Sequence, residues 1–167
     1  YSGAPVFVAS AALRVGVDLA YVAAPSKTAY AISSMSPDLI TIKLEDGNLS
    51  PKDIPAIKPY LKNATAVAIG PGLELHKETK TAVKEIISLA EKSRIPLLLD
   101  ADGLKAFAEF KHKFTNPTVL TPHAGEYKIL TAKELPVERD EKVAHVQKTA
   151  EELSAVVLLK GNVDVIA

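Results

Sequence analysis

Cysteine is absent from this sequence. Disulfides and thiolate metal sites are therefore excluded, and nothing points to an oxidising compartment. Net charge is absent too. Twenty lysines and arginines cancel twenty aspartates and glutamates, which leaves no electrostatic footprint for nucleic acid or an anionic membrane. No apolar run approaches the roughly 20 residues needed to span a bilayer. The first residues lack the basic-then-apolar pattern of a signal peptide, so a cytoplasmic protein is expected. No internal repeat, low-complexity stretch or linker breaks the chain. What is present is ordinary for a globular protein, with 47% hydrophobic, 24% charged and 5% aromatic residues among 167. That length suits a single domain with a real core.

Short apolar runs with no polar break recur along the chain. They are Ala66-Val67-Ala68-Ile69, Pro96-Leu97-Leu98-Leu99, Thr118-Val119-Leu120-Thr121 and Val156-Val157-Leu158-Leu159. Such runs read as strands buried on both faces, the kind found in parallel sheets. Each stops at glycine or at a functional side chain, and carboxyl strand ends are where open α/β sheets bind ligands. Earlier strands are expected at 19–23 and 38–44. Helices are expected at 6–14 (ended by Gly16), 26–33, 77–92, 103–110, from Ala124, and within 137–153. Ser50-Pro51-Lys52-Asp53 reads as a helix start with proline in its first turn, while Pro55 and Pro59 predict that this helix is short or irregular. Residues 163–167 read as a hairpin return. The alternation predicts an α/β fold, a three-layer αβα sandwich around a mostly parallel central sheet. The four named strands are expected to be neighbours whose carboxyl ends share one cleft.

Gly70-Pro71-Gly72 lets a ligand approach the backbone, or serves a structural turn. It matches neither the usual dinucleotide fingerprint nor a P-loop. Of Asp100 and Asp102, one is expected to cap the following helix, and the pair is also suited to holding magnesium through water. His123 and Glu126 share one side of a first helical turn. A capping box is the competing reading, weakened because histidine is a poor cap. Lys160-Gly161 joins a charge to a flexible joint, suiting phosphate contact or plain solvation.

Together, Tyr1-Ser2-Gly3-Ala4-Pro5 with Ala11-Ala12-Leu13-Arg14, Ile69-Gly70-Pro71-Gly72-Leu73, Asp100-Ala101-Asp102-Gly103-Leu104, Leu120-Thr121-Pro122-His123-Ala124-Gly125-Glu126 and Leu158 with Lys160-Gly161 stand in the order and spacing of a known family. Over nearly its whole length the chain resembles the ADP- or ATP-dependent NAD(P)H-hydrate dehydratases. The resemblance implies a ribokinase-like fold and a metabolite-repair reaction. The S form of NADHX or NADPHX is dehydrated to NADH or NADPH by phosphorylation of the ring hydroxyl and elimination of phosphate. ADP or ATP is the implied co-substrate and magnesium (Mg2+) the cofactor. Ala4, Gly72 and His123 are implied for the hydrate, and Lys160, Gly161, Asn162, Val163 and Asp164 for the adenine nucleotide. Glu126 is implied near magnesium through water, where ribokinase-like enzymes carry Asn-x-x-Glu and this chain has His123 in place of asparagine.

Two departures from the family pattern stand out. Glu74 occupies a position where the family commonly has glycine. The family's Gly-Thr-Gly-Asp segment, with the expected catalytic aspartate, lies beyond Ala167. The chain is thus expected to be a piece of a larger domain, inactive alone, with no catalytic base to nominate and no accompanying epimerase domain. Neither nucleic acid nor membrane is expected as a partner, and helix 6–14 is a candidate interface for a homo-oligomer. Competing readings are a ribokinase-like kinase of a vitamin precursor, a hydroxymethylpyrimidine or thiazole alcohol, and a non-catalytic nucleotide-binding fragment.

Overall fold

The structure is a computed structural model that describes residues 2–167; Tyr1, the first residue of the Tyr-Ser-Gly-Ala-Pro string, lies outside the described residues. The chain opens with helix α1 (Gly3–Arg14), strand β1 (Ala20–Pro25), helix α2 (Ser26–Ser33) and strand β2 (Leu39–Leu44). β1 and β2 pair in parallel, Ala20 opposite Leu39. One face of this pair packs Ala20, Val22, Ala24 and Leu39 against Ala9, Ala29 and Ile32 of α1 and α2. The other face sends Ile42 and Leu44 into the main core beside Ile54, Ile57 and Leu61. Helices therefore lie on both sides of these strands, as an αβα sandwich requires.

A single 3-10 turn (Pro51–Asp53) leads into α3 (Ile54–Leu61). Its start is a capping box in which the Ser50 backbone N–H donates to Asp53 Oδ2 at 2.9 Å. Pro51 and Pro55 fall where a missing N–H costs little. Pro59 sits inside the helix, which is held to eight residues, as the prolines predict.

Strand β3 (Val67–Ile69), helix α4 (Lys77–Lys92), β4 (Leu97–Leu99), α5 (Ala101–Ala108), β5 (Thr118–Leu120), α6 (Ala124–Thr131), α7 (Arg139–Leu153), β6 (Val156–Leu159) and β7 (Val165–Ile166) complete the chain. They build a five-stranded sheet of order β3-β4-β5-β6-β7, parallel except for the antiparallel β7 hairpin. The four strands expected to be neighbours are neighbours, in sequence order. Right-handed crossovers that always step the same way place their helices on one face. There Ile69, Leu97, Leu99, Leu120, Val157 and Leu159 pack with Val83, Ile87, Leu104 and Phe107. The opposite face carries Leu98, Val156 and Ile166, which stay exposed.

Helix α5 begins two residues earlier than the expected 103–110. The Asp100 carbonyl accepts from the N–H groups of both Gly103 and Leu104, so the helix turns directly off the strand. This start holds Ala101 at φ +46°, a left-handed conformation that costs roughly 1–2 kcal/mol for a residue with a Cβ.

Candidate functional site

The carboxyl end of β3 and the start of α5 cross at backbone contact. A Cβ on Gly70 would stand 1.7 Å from the Asp100 carbonyl oxygen, and one on Gly103 would stand 2.5 Å from that of Ile69. Gly70 is therefore a packing glycine. Gly72 has a different task. With φ +80° it takes the third position of a turn closed by Leu73 N–H donating to the Gly70 carbonyl at 3.4 Å. Pro71 before it presets the turn, and the positive φ there calls for glycine. Glu74 also adopts a positive φ of 62°, a conformation that glycine takes more readily. Its N–H donates to Asp102 Oδ2 at 3.0 Å, while Asp102 Oδ1 accepts from Lys105 at 3.0 Å.

Neither aspartate caps α5 as expected. Asp100 occupies the N-cap position without making the cap bond; Asp102, inside the first turn, clamps the 70–74 loop instead. Asp100 Oδ1 accepts from the Lys160 ammonium at 2.7 Å. Burial raises the Asp100 pKa, but hydrogen bonds from Lys160 and Thr121, the Lys160 charge and the Ala101 N–H outweigh it and hold the carboxyl below its ordinary range. Lys160 belongs to the end of β6. Its N–H donates to the Pro122 carbonyl at 2.8 Å, and it bridges in parallel to His123. Its ammonium also lies 4.0 Å from Glu126 Oε2.

His123 is the N-cap of α6, contrary to the expectation that histidine is too poor a cap. Its Nδ1 accepts from the N–H groups of Gly125 at 3.0 Å and Glu126 at 3.4 Å. Glu126 returns the bond by accepting the His123 N–H at 3.0 Å. The neutral ring has a free lone pair on one nitrogen, and Gly125 has no Cβ to push it away; a Cβ there would lie 3.0 Å from Cε1. With Nδ1 accepting, the proton sits on Nε2, which lies 3.4 Å from Glu126 Oε1. Its side chain is 58% exposed while that of Glu126 is 5% exposed.

Asp100, His123, Glu126 and Lys160 thus form one group at the ends of β4, β5 and β6. Gly72 is tied to it through the 70–74 loop. Gly161 to Asp164 form the turn after Lys160, closed by Gly161 N–H donating to Asp164 Oδ1 at 2.9 Å, with Val163 exposed at its tip. Ala4 lies exposed in the first turn of α1. No hydrogen bond or ion pair among the described residues joins it to the group. Among the described residues no three His, Asp or Glu side chains gather as a metal cage. Asp100 and Glu126 both face Lys160 instead, a donor set that suits a phosphate-bound magnesium reached through water rather than a protein-only site. The Asp100–Lys160 pair and the Asp102 clamp carry no signal in the sequence.

The profile of the family described as NAD(P)H-hydrate dehydratase matches residues 1–167. The chain is 46% identical over 167 residues to the bifunctional NAD(P)H-hydrate repair enzyme of Pyrobaculum aerophilum, all of this chain but 33% of that protein. It is 35% identical to the ADP-dependent (S)-NAD(P)H-hydrate dehydratase of Nitrosopumilus maritimus, again over all of this chain and 58% of the other. The chain therefore spans between a third and three fifths of these curated relatives. A ribokinase-like superfamily protein of Enterococcus faecalis shares the fold, with TM-score 0.83, 23% identity, and 99% of this chain matched to 55% of that one. The ADP/ATP-dependent NAD(P)H-hydrate dehydratase of Bacillus subtilis, co-crystallised with ATP/Mg2+, matches with TM-score 0.74 and 25% identity over 99% of this chain and 56% of that one. The ribokinase-like fold expected from the sequence is borne out.

Proposed function

We propose, since the chain belongs to the NAD(P)H-hydrate dehydratase family, that the protein it is part of dehydrates (S)-NADHX or (S)-NADPHX to NADH or NADPH at the expense of ADP or ATP. The observation that carries this reading is the Asp100, Lys160, His123 and Glu126 group, built at adjoining carboxyl strand ends. Phosphoryl transfer rests on positioning and on charge stabilisation at the transferring group, and a cation held between two carboxylates supplies both.

In this reading Ala4, Gly72 and His123 line the hydrate pocket, with the His123 Nε2–H donating to a hydrate oxygen. Lys160 and the Gly161-Asn162-Val163-Asp164 turn meet the adenine nucleotide, where the turn's open N–H groups and the ammonium suit phosphate oxygens. Magnesium that arrives with the nucleotide neutralises phosphate charge, and Glu126 reaches it through water. The 167 residues are taken as part of one ribokinase-like domain. The reaction is placed in the cytoplasm, where adenine and nicotinamide nucleotides turn over, with no nucleic acid or membrane as partner and a homo-oligomer as the assembly. Among the described residues, no helix is long and apolar enough to cross a membrane.

The family match over the whole chain favours this reaction over phosphorylation of a vitamin alcohol. The test offers the full-length protein (S)-NADHX, a hydroxymethylpyrimidine and a thiazole alcohol, each with ADP or ATP and magnesium, and follows NADH absorbance and nucleotide consumption. Recovery of NADH with no turnover of the alcohols is expected. Turnover of an alcohol and none of the hydrate would sink the proposal.

A further inference from the structure

We propose that Asp100 is a positioning residue for the nucleotide, holding the Lys160 ammonium in place before phosphate arrives. The inference rests on the reading of Lys160 as a nucleotide contact and names the residue through which that contact is organised.

The first observation is a task not performed. Asp100 stands at the N-cap of α5, where an aspartate side chain ordinarily accepts from the N–H of the helix's second or third residue, and it makes no such bond. Its carboxylate is spent on Lys160 at 2.7 Å instead, reaching over the end of β5 from the end of β4 to that of β6. The second observation is rigidity. The Asp100 backbone is fixed by the β3 crossing, where Gly70 leaves no room for a Cβ, and by the left-handed Ala101 that follows it. Strain of this kind persists where the surroundings over-determine a conformation, and it gathers at functional sites.

The third observation is what remains open on Lys160. An ammonium has three donors. One is taken by Asp100, a second faces Glu126 at 4.0 Å, and the side chain is still 40% exposed. A flexible lysine stem loses rotamer freedom whenever it meets a ligand. Here Asp100 has already restrained it, so the cation is presented to a phosphate oxygen without being ordered at that moment, the general advantage of preorganisation.

The test uses the full-length protein and measures KM for ADP or ATP and for (S)-NADHX separately, with thermal denaturation alongside. Asp100→Asn is expected to raise the nucleotide KM roughly tenfold, the scale of one charge-assisted hydrogen bond, and to leave the hydrate KM unchanged. Asp100→Glu, which keeps the charge, is expected to recover part of that loss. In a Lys160→Met background, Asp100→Asn is expected to add nothing, because its partner is already gone. A merely structural Asp100 predicts instead that both KM values move together with the loss of thermal stability, or that the Asp100→Asn effect persists in full without Lys160; either result overturns the proposal. The two readings fail differently. If Lys160→Met leaves the nucleotide KM unchanged, Lys160 is not a nucleotide contact and both fall. If Lys160→Met raises it and Asp100→Asn does not, only the role of Asp100 falls.

Discussion

An imidazole can serve a helix and a ligand at once, because its two nitrogens do different work. At His123 the Nδ1 lone pair is committed to the helix, while Nε2, 3.4 Å from Glu126 Oε1, sits on a ring exposed enough to meet a ligand. His123→Ala is expected to cost about 1 kcal/mol of stability from the lost cap, read by urea denaturation, and to raise the hydrate KM. His123→Asn separates the two roles: asparagine is among the best caps, so stability should return while the hydrate KM stays high. Glu126→Gln is expected to raise the magnesium concentration needed for half-maximal activity, and an unchanged metal dependence would leave Glu126 with its capping role alone. Asp100 sets an acid dependence. Its pKa is lowered in the folded chain, so its contribution is fully present above the ordinary carboxylate value of about 4 and disappears as pH falls through the lowered one. The stability difference between wild type and Asp100→Asn at neutral pH should close in acid below about pH 4.

At the scale of elements, the crossing of β3 over α5 is the least forgiving contact. A Cβ on Gly103 would meet backbone, 2.5 Å from the Ile69 carbonyl oxygen and 2.9 Å from Gly70 Cα, and backbone cannot rotate away as a side chain can. Gly103→Ala is therefore expected to cost on the order of 3 kcal/mol or more. Gly161→Ala, whose Cβ meets nothing closer than 3.4 Å, should be nearly neutral in thermal denaturation. The 70–74 loop joined to this crossing depends on Asp102, so Asp102→Ala should loosen the loop around Gly72. Hydrogen exchange at the Glu74 amide, whose acceptor is Asp102, measures that directly.

At the scale of the whole molecule, the crossovers from β3 to β6 give the sheet two unequal faces. Leu99 and Leu120 are fully buried on the helix-covered face, whereas Leu98 on the other is 37% exposed. Leu99→Ala and Leu120→Ala are each expected to cost about 2–5 kcal/mol. Leu98→Ala, one position away in the same strand, should cost clearly less, because water already reaches the side chain it removes. Equal losses at Leu98 and Leu99 in urea denaturation would mean that the two faces are equally covered.

The apolar runs at 67–69, 97–99, 118–120 and 156–159 are legible as strands in the sequence because no charged residue interrupts them. The burial on both faces that such runs predict is not found: Ala68, Leu98 and Val156 lie on the uncovered face. Helix 77–92 is legible to both ends, since its buried residues repeat with the helical period. The fold class and the family follow from those runs and from the motifs at their ends. The sequence alone could not assign the Leu97-Leu98-Leu99 faces, because three leucines look alike until the crossovers choose a side. Nor could it pair Asp100 with Lys160, 60 positions away. Periodicity records what each residue meets within a turn or a strand, whereas this ion pair exists only because β4 and β6 both flank β5. The His123 cap escaped for a nearer reason: it depends on a ring lone pair and on the empty side of Gly125, and propensity ranks residues one at a time. Local patterning thus determined the elements and their order, and strand adjacency decided which side chains became a site.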